Sequence, residues 1–249
     1  MLADSHTHFQ FIEEDVDNIL QKYPMLKLII NVGTKLEDDF RVYNKYPQIY
    51  NTYGIHPKEK ISIPIYKLLE ILENKINNDK KSVGVGEIGL DFSVDNSKEE
   101  IIRQYELFES QVYLSRKMNK PICIHSRSCD IDYLLKTLKG TKFVLHCFTH
   151  NYDIAIKALN ANGFISFSGI VTFQKNVEEI VKTAALIPKE RILIETDAPY
   201  LTPVPYRGKK NHPGFLEEIA KKISEIRKEN LEEVMKYTFS NTKQLYNII

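Results

Sequence analysis

The sequence predicts a single α/β domain closed as a TIM (β/α)8 barrel, and three observations carry that expectation. About eight short apolar runs of strand length recur along the chain. Amphipathic helical patterns alternate with them. The 249 residues match the size at which eight such units close into one barrel. Strands apolar throughout belong in a parallel sheet covered on both faces by helices. A doubly wound open sheet is the architectural alternative. No linker, low-complexity tract or repeat divides the chain, so the domain is expected to span 1–249.

In order, the strand-like runs are Leu2–Ser5, Leu28–Val32, Ile49–Ile55, Val83–Ile88, Pro121–His125, Phe143–His146, Gly163–Ser168 and Ile192–Glu195. The clearest helix starts at Ser97, where Glu100 completes a capping-box spacing. Its Ile101, Tyr105, Phe108, Val112 and Ser115 share one face. Near the end, Phe215, Ile219, Ile223 and Ile226 repeat that spacing, while Lys221, Lys222, Arg227 and Lys228 read as the wet face of the same helix.

Composition narrows the function. With 43% hydrophobic residues the chain can bury a full core, and a formal charge of +1 is not the cationic footprint of a duplex-DNA binder. Any nucleic-acid contact must therefore be local. Three cysteines, Cys123, Cys129 and Cys147, lack paired spacing, so neither a disulfide scaffold nor a thiolate zinc site is suggested. A soluble, unprocessed protein of the reducing cytoplasm is expected, with no leader pattern and no membrane-spanning run.

Five apolar runs end in a histidine or an acid: Asp4-Ser-His6-Thr-His8, Val83-Gly-Val-Gly-Glu87, Ile122-Cys-Ile-His125, Phe143-Val-Leu-His146 and Ile192-Leu-Ile-Glu-Thr-Asp197. In a parallel barrel the carboxyl-terminal strand ends form one mouth, so His6, His8, Glu87, His125, His146 and Asp197 become a ring. His6 and His8 face the same way, because strand side chains alternate with period two. Each residue alone has a plain reading: a hydrogen-bonded imidazole, a salt-bridging Glu87, a turn-starting Asp197 before Ala198-Pro199. Five such coincidences at five strand ends are a poorer account than a metal. Six nitrogen and oxygen ligands exceed the needs of one tetrahedral zinc, and Glu87 has two oxygens with which to bridge. A binuclear site is expected, its ions about 3.5–4 Å apart.

These residues resemble the TatD-type metal-dependent deoxyribonucleases of the amidohydrolase-like barrels. The similarity runs through Asp4-Ser-His-Thr-His8, Gly54-Ile-His-Pro57, Gly86-Glu-Ile-Gly-Leu-Asp91, His125-Ser-Arg127, His146-Cys-Phe148, Ser166-Phe-Ser-Gly169, Glu195-Thr-Asp-Ala-Pro199 and Arg207-Gly-Lys-Lys-Asn211. The resemblance implies a TIM barrel with His6, His8, Glu87 and Asp197 around one divalent ion and Glu87, His125 and His146 around the other. Phosphotriesterase-like relatives bridge their metals with a carboxylated lysine, and Glu87 in the corresponding run favours the nuclease branch. The chain also departs from the pattern. Lys58 stands where a second histidine is frequent, Ser128-Cys129 where an acid is usual, His150 where glycine is common, and Asn211-His212-Pro213 where Asn-Glu-Pro is frequent. No inferred ligand is lost, so the departures bear on substrate preference.

The expected activity is phosphodiester hydrolysis by water activated on two divalent ions, magnesium, manganese or zinc. The expected substrate is nucleic acid, single-stranded DNA or DNA ends, attacked as by an exonuclease, with no membrane and no obligate protein partner. Glu87 and Asp197 are the expected catalytic acids, Asp197 orienting the water and taking its proton. Arg127, two residues beyond His125, suits bidentate phosphate recognition. Arg207, Lys209 and Lys210 lie in the loop after the last strand, a frequent phosphate site in TIM barrels; an ordinary solvated loop is the plainer reading. Tyr200 and Tyr206 either stack a base or pack against the rim. His56 either reaches the mouth as a substrate contact or is held structurally by backbone, and Cys147 reads as packing. Rival functions are a metal-dependent amide or ester hydrolase, such as an aminoacyl-tRNA deacylase, and a non-catalytic binding descendant of the fold.

Overall fold

The computed structural model of the protein describes residues 1–249. Eight parallel strands follow one another in chain order around one sheet: β1 (Leu2–Thr7), β2 (Leu26–Val32), β3 (Ile49–Tyr53), β4 (Ser82–Asp91), β5 (Ile122–Arg127), β6 (Phe143–Leu145), β7 (Gly163–Phe167) and β8 (Ile192–Ile194). Eight helices cover it: α1 (Val16–Lys22), α2 (Ile65–Asn78), α3 (Lys98–Lys117), α4 (Ile131–Thr137), α5 (Tyr152–Asn160), α6 (Glu178–Leu186), α7 (Leu216–Arg227) and α8 (Leu231–Tyr246). This is a nearly closed TIM barrel in a single domain. The seam is made by β1 and the residues just beyond β8: Thr7 bridges Ala198, and the Asp197 N–H donates to the His6 carbonyl at 2.9 Å.

Strand alternation divides the apolar side chains into two sets. Leu2, Ile29, Ile122, Ile124, Phe143, Leu145, Ile165, Ile192 and Ile194 pack with the helices in the larger core cluster. Ala3, Leu28, Ile30, Val32, Cys123, Val144, Phe164 and Leu193 form a second cluster with Leu245 and Tyr246 from the end of the chain. This second set fills the barrel, and its parity continues upward: Cys123 leads to His125, Val144 to His146, Leu193 to Glu195 and Asp197.

Three expectations are corrected. Strands β4 and β5 run past Ile88 and His125, because pairing continues through Gly89 with His125 and Asp91 with Arg127. Glu87 and His125 therefore stand inside strands rather than at their ends. A Cβ on Gly89, at φ +151°, would sit 1.8 Å from the His125 carbonyl oxygen, so only glycine allows this approach. The β2–β3 crossover has no α-helix, only a 3-10 turn over Arg41–Lys45. Arg227, assigned above to a wet face, has a side chain 10% exposed. It donates to the carbonyls of Ala184 and Ile187 at 2.8 and 3.0 Å, closing the end of α6.

Helix α3 begins as the capping pattern predicts, with Ser97 Oγ accepting from the Glu100 N–H at 3.3 Å. The Glu100 carboxylate turns to Arg103 and Gln104 instead of reaching back. Phe108, Val112 and Ser115 are buried as expected, Ile101 and Tyr105 only half so. Two glutamines share the buried face. Gln104 pairs with both the N–H and C=O of Asp91 at 2.8 and 2.9 Å, and Gln111 does the same for Ile55 at 2.7 and 3.1 Å. One helix thus holds the end of β4 and the loop before His56. In α7, Leu216, Ile219, Ala220 and Ile223 are buried, whereas Phe215 belongs to the preceding 3-10 turn and Ile226 is half-buried. No helix is long and apolar enough to cross a membrane.

Candidate metal centre

Glu87 is the hub of the mouth. An irregularity in β4 between Val85 and Ile88 aims its side chain into the barrel, and its N–H donates to the Gly33 carbonyl at 2.6 Å. Its two oxygens face two sets of rings. Oε2 lies 3.6 Å from His6 Nε2 and 3.7 Å from His8 Nε2; the same two nitrogens lie 3.5 and 3.4 Å from Asp197 Oδ1. Oε1 lies 2.8 Å from His125 Nδ1 and 2.9 Å from His146 Nε2. All six ring residues expected from the sequence are therefore brought together. Ligand atoms of His6, His8 and Glu87 fall within 4.8 Å of one another, as do those of His6, His146 and Glu195, and of His56, Glu87 and His125.

The outer nitrogens of the rings decide where their protons sit. His8 Nδ1 lies 2.8 Å from the Val32 carbonyl, His125 Nε2 lies 2.9 Å from Asp91 Oδ2, and His146 Nδ1 lies 3.2 Å from Glu195 Oε1. Each partner can only accept, so each outer nitrogen carries the hydrogen. The inner nitrogens of His8, His125 and His146 are then lone pairs aimed at carboxylates. Where acceptors face acceptors at 2.8 and 2.9 Å, as His125 and His146 face Glu87, cations are required between them, either protons or metal ions, whereas His8 Nε2 also has His6 Nε2 at 3.0 Å as a partner. Glu195 Oε2, buried without a partner, adds a further acceptor. A hard to borderline N/O donor set of this kind fits divalent ions.

Without ions, protons fill the role. Burial alone would depress His146, but the Glu87 and Glu195 carboxylates outweigh it and hold the ring well above the ordinary imidazole value. His8 and His125 are raised too: burial again opposes, and Asp197 and Glu87, or Asp91 and Glu87, prevail. His6 goes the other way, pushed well down by burial and by the neighbouring His146 and His8. Burial opposes ionisation of Glu87, yet His146, His56 and His125 hold its carboxyl well below the usual range.

His56 differs from the other rings. Its Nδ1 accepts from the Lys58 N–H at 3.1 Å, so Nε2 carries the hydrogen and points toward Glu87 Oε1 at 3.6 Å. It presents a donor to the mouth. Lys58, in the position where a second histidine is frequent, sets its ammonium 2.9 Å from Asp91 Oδ2, the oxygen that also holds His125.

The other expected substrate contacts lie further out. Arg127 ends β5, exposed, in register with Asp91. Arg207 is exposed on its loop, its guanidinium 4.1 Å from the centre of the Phe173 ring and donating to the Thr202 carbonyl at 2.9 Å. Lys209 is exposed 5.5 Å from the Tyr206 ring, and Lys210 pairs with Glu13. Tyr206 stacks on Phe215 at 4.2 Å, the rim-packing role; Tyr200 is 54% exposed beside His8. His150 donates to or accepts from Ser126 Oγ at 2.9 Å, and burial pushes the Cys147 thiol up to about 12, so it stays protonated.

Sequence reasoning missed the residues behind the ring. Asp91 and Glu195 back His125 and His146, Cys123 Sγ lies 3.1 Å from His6 Nδ1, and Asp4 accepts from Thr196 N–H and Oγ–H at 2.9 and 2.6 Å, tying β1 to the segment that carries Asp197. Period two was the available signal: Asp91 is four residues from Glu87, and Glu195 two from Asp197.

A family model described as TatD related DNase matches residues 3–247. Over 261 aligned residues covering the full length of both chains, the sequence is 34% identical to the uncharacterized metal-dependent hydrolase YabD of Bacillus subtilis. It is 33% identical to the uncharacterized metal-dependent hydrolase YcfH of Escherichia coli, with 99% of this chain and 96% of that protein covered. Among solved structures, the E. coli TatD homolog YjjV superposes with a TM-score of 0.88 at 27% identity, covering 100% of this chain and 98% of that one.

Proposed function

This chain belongs to the TatD-related DNase family and is a metal-dependent hydrolase, and from that premise we propose that it hydrolyses phosphodiester bonds of DNA as an exonuclease on single strands or ends. The observation that carries the reading is the convergence of the inner ring nitrogens of His8, His125 and His146 on the two oxygens of Glu87 and on Asp197. His6, His8, Asp197 and Glu87 Oε2 would hold one ion, and Glu87 Oε1, His125 and His146 the other. Bound divalent ions, magnesium, manganese or zinc, supply Lewis acidity that lowers the pKa of water and offsets phosphate charge.

The chain's own groups do the rest. The Asp197 side chain is 13% exposed against 4% for Glu87, so it is the carboxylate of the pair that solvent reaches and the one to take the proton of an attacking water. His56 Nε2–H donates to a phosphate or leaving-group oxygen. Arg127, Arg207 and Lys209 supply positive charge around the mouth for a polyanion, a local patch on a chain of net charge +1. Three free thiols suit a reducing cytoplasm.

The test is nucleotide release from 3′- and 5′-labelled single-stranded DNA by metal-stripped protein, with each metal added back. Release that depends on metal and vanishes in Glu87→Ala supports the reading and gives its polarity. No release, with two ions bound per chain, overturns it in favour of carbonyl hydrolysis by the same centre.

A further inference from the structure

We propose that Phe11 and Tyr200 form a nucleobase platform beside the metal centre, on which an unpaired base next to the reacting phosphate stacks. The proposal rests on nucleic acid being the ligand, and it names the subsite that would read the strand.

The two residues stand on loops that the fold holds together. His8 N–H donates to the Ala198 carbonyl at 2.9 Å, Thr7 bridges Ala198, and further out Lys210 pairs with Glu13. The 3-10 turn over Phe9–Phe11 sends one ring each way: Phe9 is 3% exposed in the core, and Phe11 is 38% exposed at the mouth. Tyr200 is mounted firmly by its backbone, its N–H donating to the Asp197 carbonyl at 2.9 Å and its carbonyl accepting from Asn211 Nδ2 at 2.5 Å, yet the residue is 54% exposed.

Both rings flank His8. Their centres lie 5.7 and 6.3 Å from the imidazole centre, tilted by 46° and 68°, so neither ring is stacked on the imidazole. Tyr206, on the same loop as Tyr200, shows the contrast, because its face is already covered by Phe215 at 4.2 Å and 8°. The exposed part of these two residues includes apolar surface that a planar ligand would bury. The ring of a base does so, and every base has a π-face, so such a platform selects for an unpaired base without selecting its identity. A base in a duplex is not free to stack there, which gives single strands and frayed ends the advantage.

The experiment uses an oligodeoxythymidylate carrying one 2-aminopurine, whose emission is quenched by stacking, and the metal-stripped full chain. Quenching by the wild type, lost in Phe11→Leu/Tyr200→Leu together with roughly tenfold weaker binding, supports the platform. Metal content of the double variant should match wild type, since neither side chain belongs to the ligand set and leucine keeps an apolar side chain at both positions. Unchanged quenching in the double variant, or wild-type binding without quenching, overturns the proposal. The two readings separate cleanly. Quenching without nucleotide release under any metal keeps the platform and removes the nuclease, and release without quenching does the reverse.

Discussion

The two sides of Glu87 are built differently. On the side of β1, the outer nitrogens of His6 and His8 rest on neutral groups, a thiol and a peptide carbonyl. On the side of β5 and β6, those of His125 and His146 rest on carboxylates, Asp91 and Glu195. A carboxylate behind an imidazole raises the basicity of the nitrogen facing the metal. The difference teaches that Glu87 joins a half whose rings are backed by carboxylates to a half leaner in such backing, where a second negative charge faces the rings directly from Asp197. Asp197, the acid assigned to the proton, stands on the leaner side.

Glu87→Ala should abolish the comparison altogether: both ions are lost, and kcat/KM on single-stranded DNA falls by more than about a thousandfold, the scale set by removing a site's organising electrostatic group. Metal content after dialysis, measured alongside turnover, checks this. Asp91→Asn and Glu195→Gln should each weaken one of two metal-binding steps by about ten- to a hundredfold and leave the other in place; titration calorimetry on stripped protein resolves the two steps. Equal weakening of both steps would erase the asymmetry. Arg207→Ala should lower kcat/KM about tenfold with metal content intact, as expected for one charge-assisted phosphate contact. The smallest effect belongs to Cys123→Ala, which removes only a weak sulfur partner of His6. Its metal affinities should move less than those of the Asp91 and Glu195 variants, and a drop as large as theirs would show that the thiol is not a lean support.

The asymmetry explains what was legible in the sequence. The six ring residues announce themselves because each follows an apolar run of strand length, where burial gives an imidazole or carboxylate no ordinary reason to be. The barrel was legible on the same ground, from runs apolar on both faces alternating with amphipathic helices. The groups behind the ring lack such a signature. Asp91 is reached only because β4 pairs with β5 beyond His125, a register that no single run encodes. Cys123 reads as one more apolar strand residue, and it is one until β1 places His6 against it. Gln104 and Gln111 look like the solvated side of a helix, since polarity alone cannot tell an exposed amide from a buried one bonded to a peptide group. Arg227 misleads for the converse reason: its long stem buries while its head finds the carbonyls at the end of α6.

The closure of the barrel between β1 and the residues after β8 also has a kinetic side. Asp4 and Thr196, which join there, are 192 positions apart, whereas Glu87 and His125 are separated by 38 and His125 and His146 by 21. Contacts within the shorter loops cost less chain entropy to form. The carboxylate-backed half can thus assemble while the two ends of the chain are still apart, and the lean half exists only once they meet. A folding chain would acquire the cluster around His125 and His146 well before the one around His6 and His8, and the complete mouth would appear only at barrel closure.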